Sequence, residues 1–351
     1  MQIEIYREAT VFDTLRSEWN ALLEHSVSRI PFLRAEYQQA WWRHRGGGEW
    51  ETAELVVVVA RDEAGQVVGV APLFYTPRNR DGRPALMFIG SVEISDYLDL
   101  LVGSDQLNAF CDALLTRLSQ ADLPAWEVLD LYNLQAVSPT RAALEQAARS
   151  RGWQTSESVL EPVPEIQLPG DWETYLGMME KKERQELKRK LRRATGGDDQ
   201  ISWYVVDATR DLAAEIDAFL RLMVMNEDKA RFLKPEMRAQ FIETMQAAFA
   251  GGWLHLAFLE VAGDKAAAYF SFDFDNRLWV YNSALNPRYA ALSAGWILLG
   301  YLLQWAIEHR RATFDFMRGG EDYKYRFGAV AGKIYRWQGG ERLKAASPAD
   351  N

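Results

Sequence analysis

The stretch WVYNSALNPRYAALSAGWILLGYLLQWAIEHRRATFDFMRGGEDYKYRFGA, Trp279 to Ala329, decides the reading of this chain. It opens with residues of high strand propensity, passes through a loop of small residues, and enters a segment apolar on nearly every side, as a buried helix is. Phe314 and Phe316 then flank Asp315 at period two, which marks another short strand, and Gly319-Gly320 ends it in a turn. Strand, helix and strand in that order form a β–α–β unit, in which the end of the second strand lies beside the start of the helix. Ser293–Trp296 and Asp315–Lys324 are therefore expected to face one crevice.

Each part of that crevice has a chemical use and a plainer alternative. Ser293-Ala294-Gly295 opens the helix without a bulky side chain, so free backbone N–H groups and the helix dipole can meet an anion such as a pyrophosphate. Equally, Ser293 can be a cap and Gly295 a packing glycine. Asp315 can take a proton from an amine nucleophile, with Glu321 and Asp322 as substitutes, or can satisfy an arginine or a backbone group. Tyr323 and Tyr325 can donate to a leaving thiolate or can anchor the loop by ring packing. Arg318, Lys324 and Arg326 can hold phosphate or carboxylate groups or can form a solvated face.

Outward from this unit, 351 residues at roughly 100–200 per domain point to two domains. The boundary falls in LEPVPEIQLPGDW, Leu160–Trp172, where three prolines demand extended backbone and Asp171 can cap the next helix. The expected division is 1–160 and 161–351. In the first part, a strand at Ile3–Tyr6 precedes helices at Val11–Leu23 and Ala35–His44 and a hairpin turning at Asp62–Gln66. Strands follow at Ala85–Ile89, Tyr97–Val102 and Glu127–Leu131, with helices at Asp105–Leu118 and Pro139–Arg149. The second part reads helix (Trp172–Ala194), strand (Ile201–Val206), helices (Ala208–Glu227, Pro235–Ala250) and strands (Trp253–Val261, Ala266–Phe274, Leu278–Ala284). It ends with helix Ala294–His309, strand Thr313–Phe316 and a strand in the tail at Lys333–Trp337. Both halves share this order of elements without a repeat readable by residue identity. The fold class is α/β with mixed sheets.

A hydrophobic content of 48% with 25% charged residues is that of a globular chain. The net charge of -9 repels phosphate overall, which argues against DNA binding and requires a local basic patch for any anionic partner. MEKKERQELKRKLRRATGG supplies one, with eight basic residues from Lys181 to Arg193. Leu187 and Leu191 can seat it on the protein, leaving Lys188, Arg189, Arg192 and Arg193 for a nucleotide-sugar, an acidic membrane surface or tRNA, or for water alone. The lone Cys111 excludes an intramolecular disulfide, and four scattered histidines offer no metal-ligand spacing. The N-terminus lacks the order of a signal peptide, and no apolar run reaches the roughly 20 residues of a membrane helix, so a cytoplasmic location is expected. Gly-x-Ser-x-Gly and Gly-Lys-Ser/Thr motifs are missing, and RGGGEW at Arg45–Trp50 lacks the preceding strand of a dinucleotide site.

The closing section resembles the acetyltransferases of CelD-like and BioF2-like proteins, which belong to the GNAT superfamily and are related to the FemAB peptidyltransferases. The resemblance rests on the small-residue helix opening, Asp315-Phe316, Gly319-Gly320 and Tyr323-Lys324-Tyr325-Arg326-Phe327-Gly328. PFLRAEYQQAWWRH near the start and SDYLDLLV, with Asp96-Tyr97, extend it over nearly the whole chain. It departs from the usual GNAT loop in that Ala291–Gly295 keeps only the last glycine.

That resemblance implies two tandem GNAT-like domains and an acyl group, acetyl for instance, moved from acyl-CoA to an amine without a covalent enzyme intermediate or a metal. The donor would lie on Ser293, Ala294, Gly295 and Trp296. A backbone N–H from Trp279–Ser283, in the neighbourhood of Tyr281 and Asn282, would polarise the thioester. Asp315, Tyr323, Lys324 and Glu321 would serve catalysis, and Asp96, Tyr97, Arg318 and Arg326 the acceptor, which would be a small amine, an amino-sugar or an envelope precursor. The alternatives are a FemAB-like transfer from aminoacyl-tRNA and a non-catalytic scaffold of polysaccharide synthesis.

Overall fold

A computed structural model describes residues 1–196 and 200–341 and divides the chain into two compact units, Met1–Glu161 with Lys333–Asn351, and Pro162–Gly332. Residues 342–351, which the sequence reading assigned to the second domain, lie outside the described residues.

The first unit comprises β1 (Gln2–Tyr6), α1 (Val11–Thr14), α2 (Arg16–Leu23), α3 (Ala35–Gly48), β2 (Glu54–Arg61), β3 (Val67–Thr76), β4 (Ala85–Phe88) and β5 (Leu101–Val102). It continues with α4 (Leu107–Leu118), β6 (Val128–Gln135), α5 (Thr140–Arg149) and the first part of β7 (Gln154–Gln167). Its sheet runs β1-β2-β3-β4-β6, with β5 on β3; β4–β6 pair in parallel and the other pairs named are antiparallel. The hairpin β2–β3 forms because its valine-rich runs bury both faces, and Asp62 closes its turn by accepting from the N–H groups of Ala64 and Gln66.

The second unit begins with α6 (Trp172–Met178) and α7 (Lys181–Gly196), followed by β8 (Ile201–Val205), α8 (Leu212–Met223), α9 (Glu227–Phe232) and α10 (Pro235–Ala250). Then come β9 (Leu254–Val261), β10 (Asp264–Phe274), β11 (Arg277–Leu285), α11 (Ala294–Glu308), β12 (Thr313–Asp315) and α12 (Asp322–Arg326); β13 (Val330–Gly340) is the last of the described elements. The sheet order is β8-β9-β10-β11-β12-β7, antiparallel except for β11–β12. Residues 165–167 of β7 pair with β12, whereas residues 334–339 of β13 pair with β6 of the first unit. The tail strand expected in the second domain therefore belongs to the first, because its ladder partner is β6.

Asp171 caps α6 as expected, its carboxylate accepting from the Thr174 N–H at 2.8 Å. Extended backbone at Met179 separates α6 from α7, so the single helix expected over Trp172–Ala194 is two. The core of this unit is built on α11, whose Ile297, Leu298, Leu302, Leu303 and Ala306 are fully buried. α7 seats Leu187 and Leu191 against Gly300 of α11, where an added Cβ would stand 2.9 Å from Leu187 Cδ1. The apolar stripe read from the basic segment is the face that packs.

Candidate functional site

The parallel ladder between β11 and β12 covers only Arg277–Trp279 opposite Thr313–Asp315. Beyond Trp279 the strands separate, and β11 continues alone on that side to Leu285. β11 also carries a bulge. Val280 pairs with Ser271 and Asn282 with Phe270, which leaves Tyr281 as the extra residue and re-aims the strand. An edge of β11 beyond its ladder with β12 thus opens inside the unit, next to the start of α11.

A cavity of about 500 Å³ occupies this opening. Its walls are Ser283–Leu285 of β11, the loop to α11, Ser293–Trp296, Leu299, Tyr269 of β10, Tyr323 of α12, and Met223, Met225, Asn226 and Lys229 from the ends of α8 and α9. Ser293 takes a left-handed conformation (φ 60°, ψ 44°) that turns the loop into the helix. Its carbonyl accepts from the N–H groups of Trp296 and Ile297, while Ala294 and Gly295 precede any intrahelical acceptor. A Cβ on Gly295 would come within 2.6 Å of Leu285 Cδ2, so glycine keeps this wall thin. Lys190 of α7 donates to Ser293 Oγ at 2.6 Å and brings a cation to the helix start.

Of the residues singled out in the sequence, Ser293, Ala294, Gly295, Trp296 and Tyr323 line the cavity. Burial, with Glu321 nearby, pushes the Tyr323 phenol well above the usual tyrosine range, which keeps it a proton donor. Asp315 does not line it. Its carboxylate is fully buried, paired with Arg277 at 2.9 Å and accepting from the Met317 N–H at 2.7 Å. Of the two uses read for Asp315, the structure shows the partner of an arginine and of the backbone. Lys324 is also turned inward, donating to the carbonyls of Arg318 and Gly319 and pairing with Glu321 at 2.8 Å. Those contacts use all three of its N–H donors, so it clips the glycine loop, and Glu321 is its partner at the surface.

Other expected residues are dispersed. Tyr281 packs its ring against Phe241, Phe270 and Phe272, and Asn282 accepts from Lys229 at 3.0 Å. Arg326 pairs with Glu183 and lies over the Trp296 ring at 4.3 Å, and Arg318 is half-buried in the turn. Asp96 and Tyr97 are buried in the first unit.

Lys229 is the charged cavity residue that sequence reading missed, along with apolar and neutral wall residues such as Met223 and Tyr269. It sits on the short α9, where Asn226 caps the helix by accepting from the Lys229 N–H at 3.0 Å. Its Nζ donates to Asn282 Oδ1 and to the Ser283 carbonyl, and burial lowers its amine to about 8 against the opposing field of Glu321. The sequence signal available was Asn226-Glu227-Asp228, a cap followed by acids, at the boundary drawn for the preceding helix. No group of histidine, cysteine or carboxylate side chains able to hold a metal occurs among the described residues. Among them, too, no helix is long and apolar enough to cross a membrane.

Residues 181–325, inside the second unit, match the acetyltransferase (GNAT) domain family. No curated protein matches the chain. Among solved structures, FemX aligns with a TM-score of 0.66 at 10% identity, covering 96% of this chain and 97% of FemX. A conserved protein of unknown function from Bacteroides thetaiotaomicron aligns at 0.61 with 14% identity, over 97% of this chain and 100% of that one. L-PGS from Bacillus licheniformis aligns at 0.57 with 10% identity, over 94% and 93%. Identities this low speak for the fold alone. The second unit thus carries a match to the acetyltransferase (GNAT) domain family, and the chain as a whole shares the mixed α/β fold of FemX.

Proposed function

We infer that the second unit is an N-acyltransferase that takes an acyl group, acetyl in the simplest case, from acyl-CoA to the amine of a small molecule, an amino-sugar or an envelope precursor. One observation carries this reading: the cavity is bounded at once by the first turn of α11 and by the edge of β11 beyond its ladder with β12. Its volume lies within the roughly 300–1,000 Å³ usual for small-molecule sites, with apolar walls and few polar groups. Acyl-CoA fits this donor set. The Ala294 and Gly295 N–H groups with Lys190 suit its phosphates, and Met223, Leu285, Leu299 and Trp296 suit its pantetheine arm.

Bound there, acyl-CoA supplies a thioester carbon that an amine attacks with loss of the thiol. The residues of the chain contribute position and charge. N–H groups on the open part of β11 meet the developing oxyanion, and Tyr323, kept protonated by burial, gives its proton to the departing sulfur. Asp315 and Lys324 hold the turn that presents Tyr323.

Calorimetric titration with acetyl-CoA tests the reading. Binding is expected, and Gly295→Trp, which fills the thin wall beside Leu285, is expected to weaken it by roughly tenfold or more, about 1.4 kcal/mol, with the circular dichroism unchanged. Absence of heat with acetyl-CoA and longer CoA esters would overturn it. A second reading, transfer from an aminoacyl-tRNA, draws support from the cationic α7 reaching Ser293 through Lys190 and from the likeness to FemX. It would be taken up if charged tRNA binds where CoA esters do not, and a non-catalytic scaffold if neither does.

A further inference from the structure

Attack by an amine on a thioester leaves a proton to be removed from nitrogen, and a proton acceptor has to be found among the groups that reach the reacting atoms. Among the described residues, the cavity is lined by no aspartate, glutamate or histidine. Its phenols are poor acceptors. Burial raises Tyr269 and Tyr323, and Tyr289 donates to Asp264 at 2.9 Å. Lys229 remains, and its surroundings are unusual for a lysine. It takes part in no ion pair among the described residues; its Nζ is held by Asn282 Oδ1 at 3.0 Å and by the Ser283 carbonyl, both neutral, with Ser283 Oγ at 3.5 Å. A free amine has two N–H donors and one lone pair. Two strong acceptors satisfy the two donors, and the lone pair is left over.

The charges around it favour that state. On its own helix, Asp228 is neutralised by Arg231, and Glu227 is exposed. Glu321, from the loop before α12, favours the ammonium but is held by Lys324. Tyr269 of β10 and Tyr323 of α12 keep their protons, β11 offers only Asn282 and Ser283, and the start of α11 brings Lys190 to Ser293. Burial outweighs Glu321.

Resting on the acyltransferase reading above, we propose that Lys229 acts as a free amine and is the proton acceptor for the nucleophile attacking in this cavity. The N–C bond forms as C–S breaks, one proton passes from the amine nitrogen to Lys229 Nζ, one passes from Tyr323 to sulfur, and exchange with solvent resets both groups.

Two measurements test this, one of them without an acceptor. Competitive labelling of the full-length protein with acetic anhydride across pH, read by peptide mass spectrometry, should show Lys229 half-reactive near pH 8. The ordinary lysine value of about 10.4 for Lys229 would overturn the proposal. Thiol release from acetyl-CoA with glycine and glucosamine as probe amines should fall roughly 100-fold or more in Lys229→Met and lose its acidic limb. Acetyl-CoA affinity by calorimetry should stay unchanged, and Lys229→Arg, always protonated, should not rescue. Full turnover in Lys229→Met would overturn the proposal, and if neither probe amine reacts the labelling result decides. Normal acetyl-CoA binding with an ordinary Lys229 sinks this inference and leaves the acyltransferase standing; no acetyl-CoA binding sinks both.

Discussion

A single carboxylate shows how the same residue type serves chemistry in one setting and architecture in another. Asp315 has apolar neighbours on both sides in sequence and lies on a parallel strand, where a base could be held. Yet it has no exposed surface, and both its oxygens are committed, one to Arg277 and one to the Met317 N–H. Met317 has φ of 55°, a conformation few non-glycine residues adopt, and Asp315 pins it there ahead of Gly319-Gly320. Asp315→Asn keeps an acceptor for Met317 but removes the charge from its ion pair with Arg277, whose pair with Glu165 is retained. A loss of about 1–3 kcal/mol in unfolding free energy is expected, with acetyl-CoA affinity unchanged, by denaturant titration and calorimetry. Wild-type stability together with a large loss of turnover would return Asp315 to the chemistry.

At the scale of elements, the site depends on how α7 meets α11. Gly300 lets Leu187 and Leu191 approach, and the same helix carries Lys190 to Ser293. Gly300→Ala should therefore cost about 1–3 kcal/mol through overpacking, lowering the melting temperature, and weaken donor binding by moving Lys190. A stable variant with unchanged affinity would show that Leu187 moves aside freely. Elements with strong local signals were legible beforehand. Proline at the first position of α10 and the unbroken apolar character of α11 placed both helices within a residue or so. The break between α6 and α7 was not legible, since Met179, where the backbone turns extended, is neither glycine nor proline. Nor was α9, which buries no apolar residue and so has no apolar periodicity, and the half-buried Lys229 was lost with it. Spacing brought Ser293–Trp296 and Tyr323 to one cavity, but it could not tell that Asp315 and Lys324 would spend their polar atoms on the turn between them.

For the whole molecule, the two sheets repeat one topology, β1-β2-β3-β4-β6 in one unit and β8-β9-β10-β11-β12 in the other, each with one parallel pair after an antiparallel hairpin. The strand added beyond each parallel pair differs in origin: β12 is joined by the preceding strand β7, and β6 by the terminal strand β13. Alternation of residues identifies a strand but not its partner, which is why the tail read correctly as a strand and was assigned to the wrong unit. Trp337, almost at the end of the described chain, is 1% exposed in the core of the first unit, and Arg336 beside it pairs with the fully buried Asp130. Trp337→Ala should cost about 3–5 kcal/mol by the cavity it leaves. Hydrogen exchange locates the loss: amides of β6, Val128–Gln135, should lose protection while those of α11 keep theirs, and acetyl-CoA should still bind. Protection falling equally in α11 would mean that the two units open together, so that the first unit's last strand also governs the stability of the domain carrying the cavity.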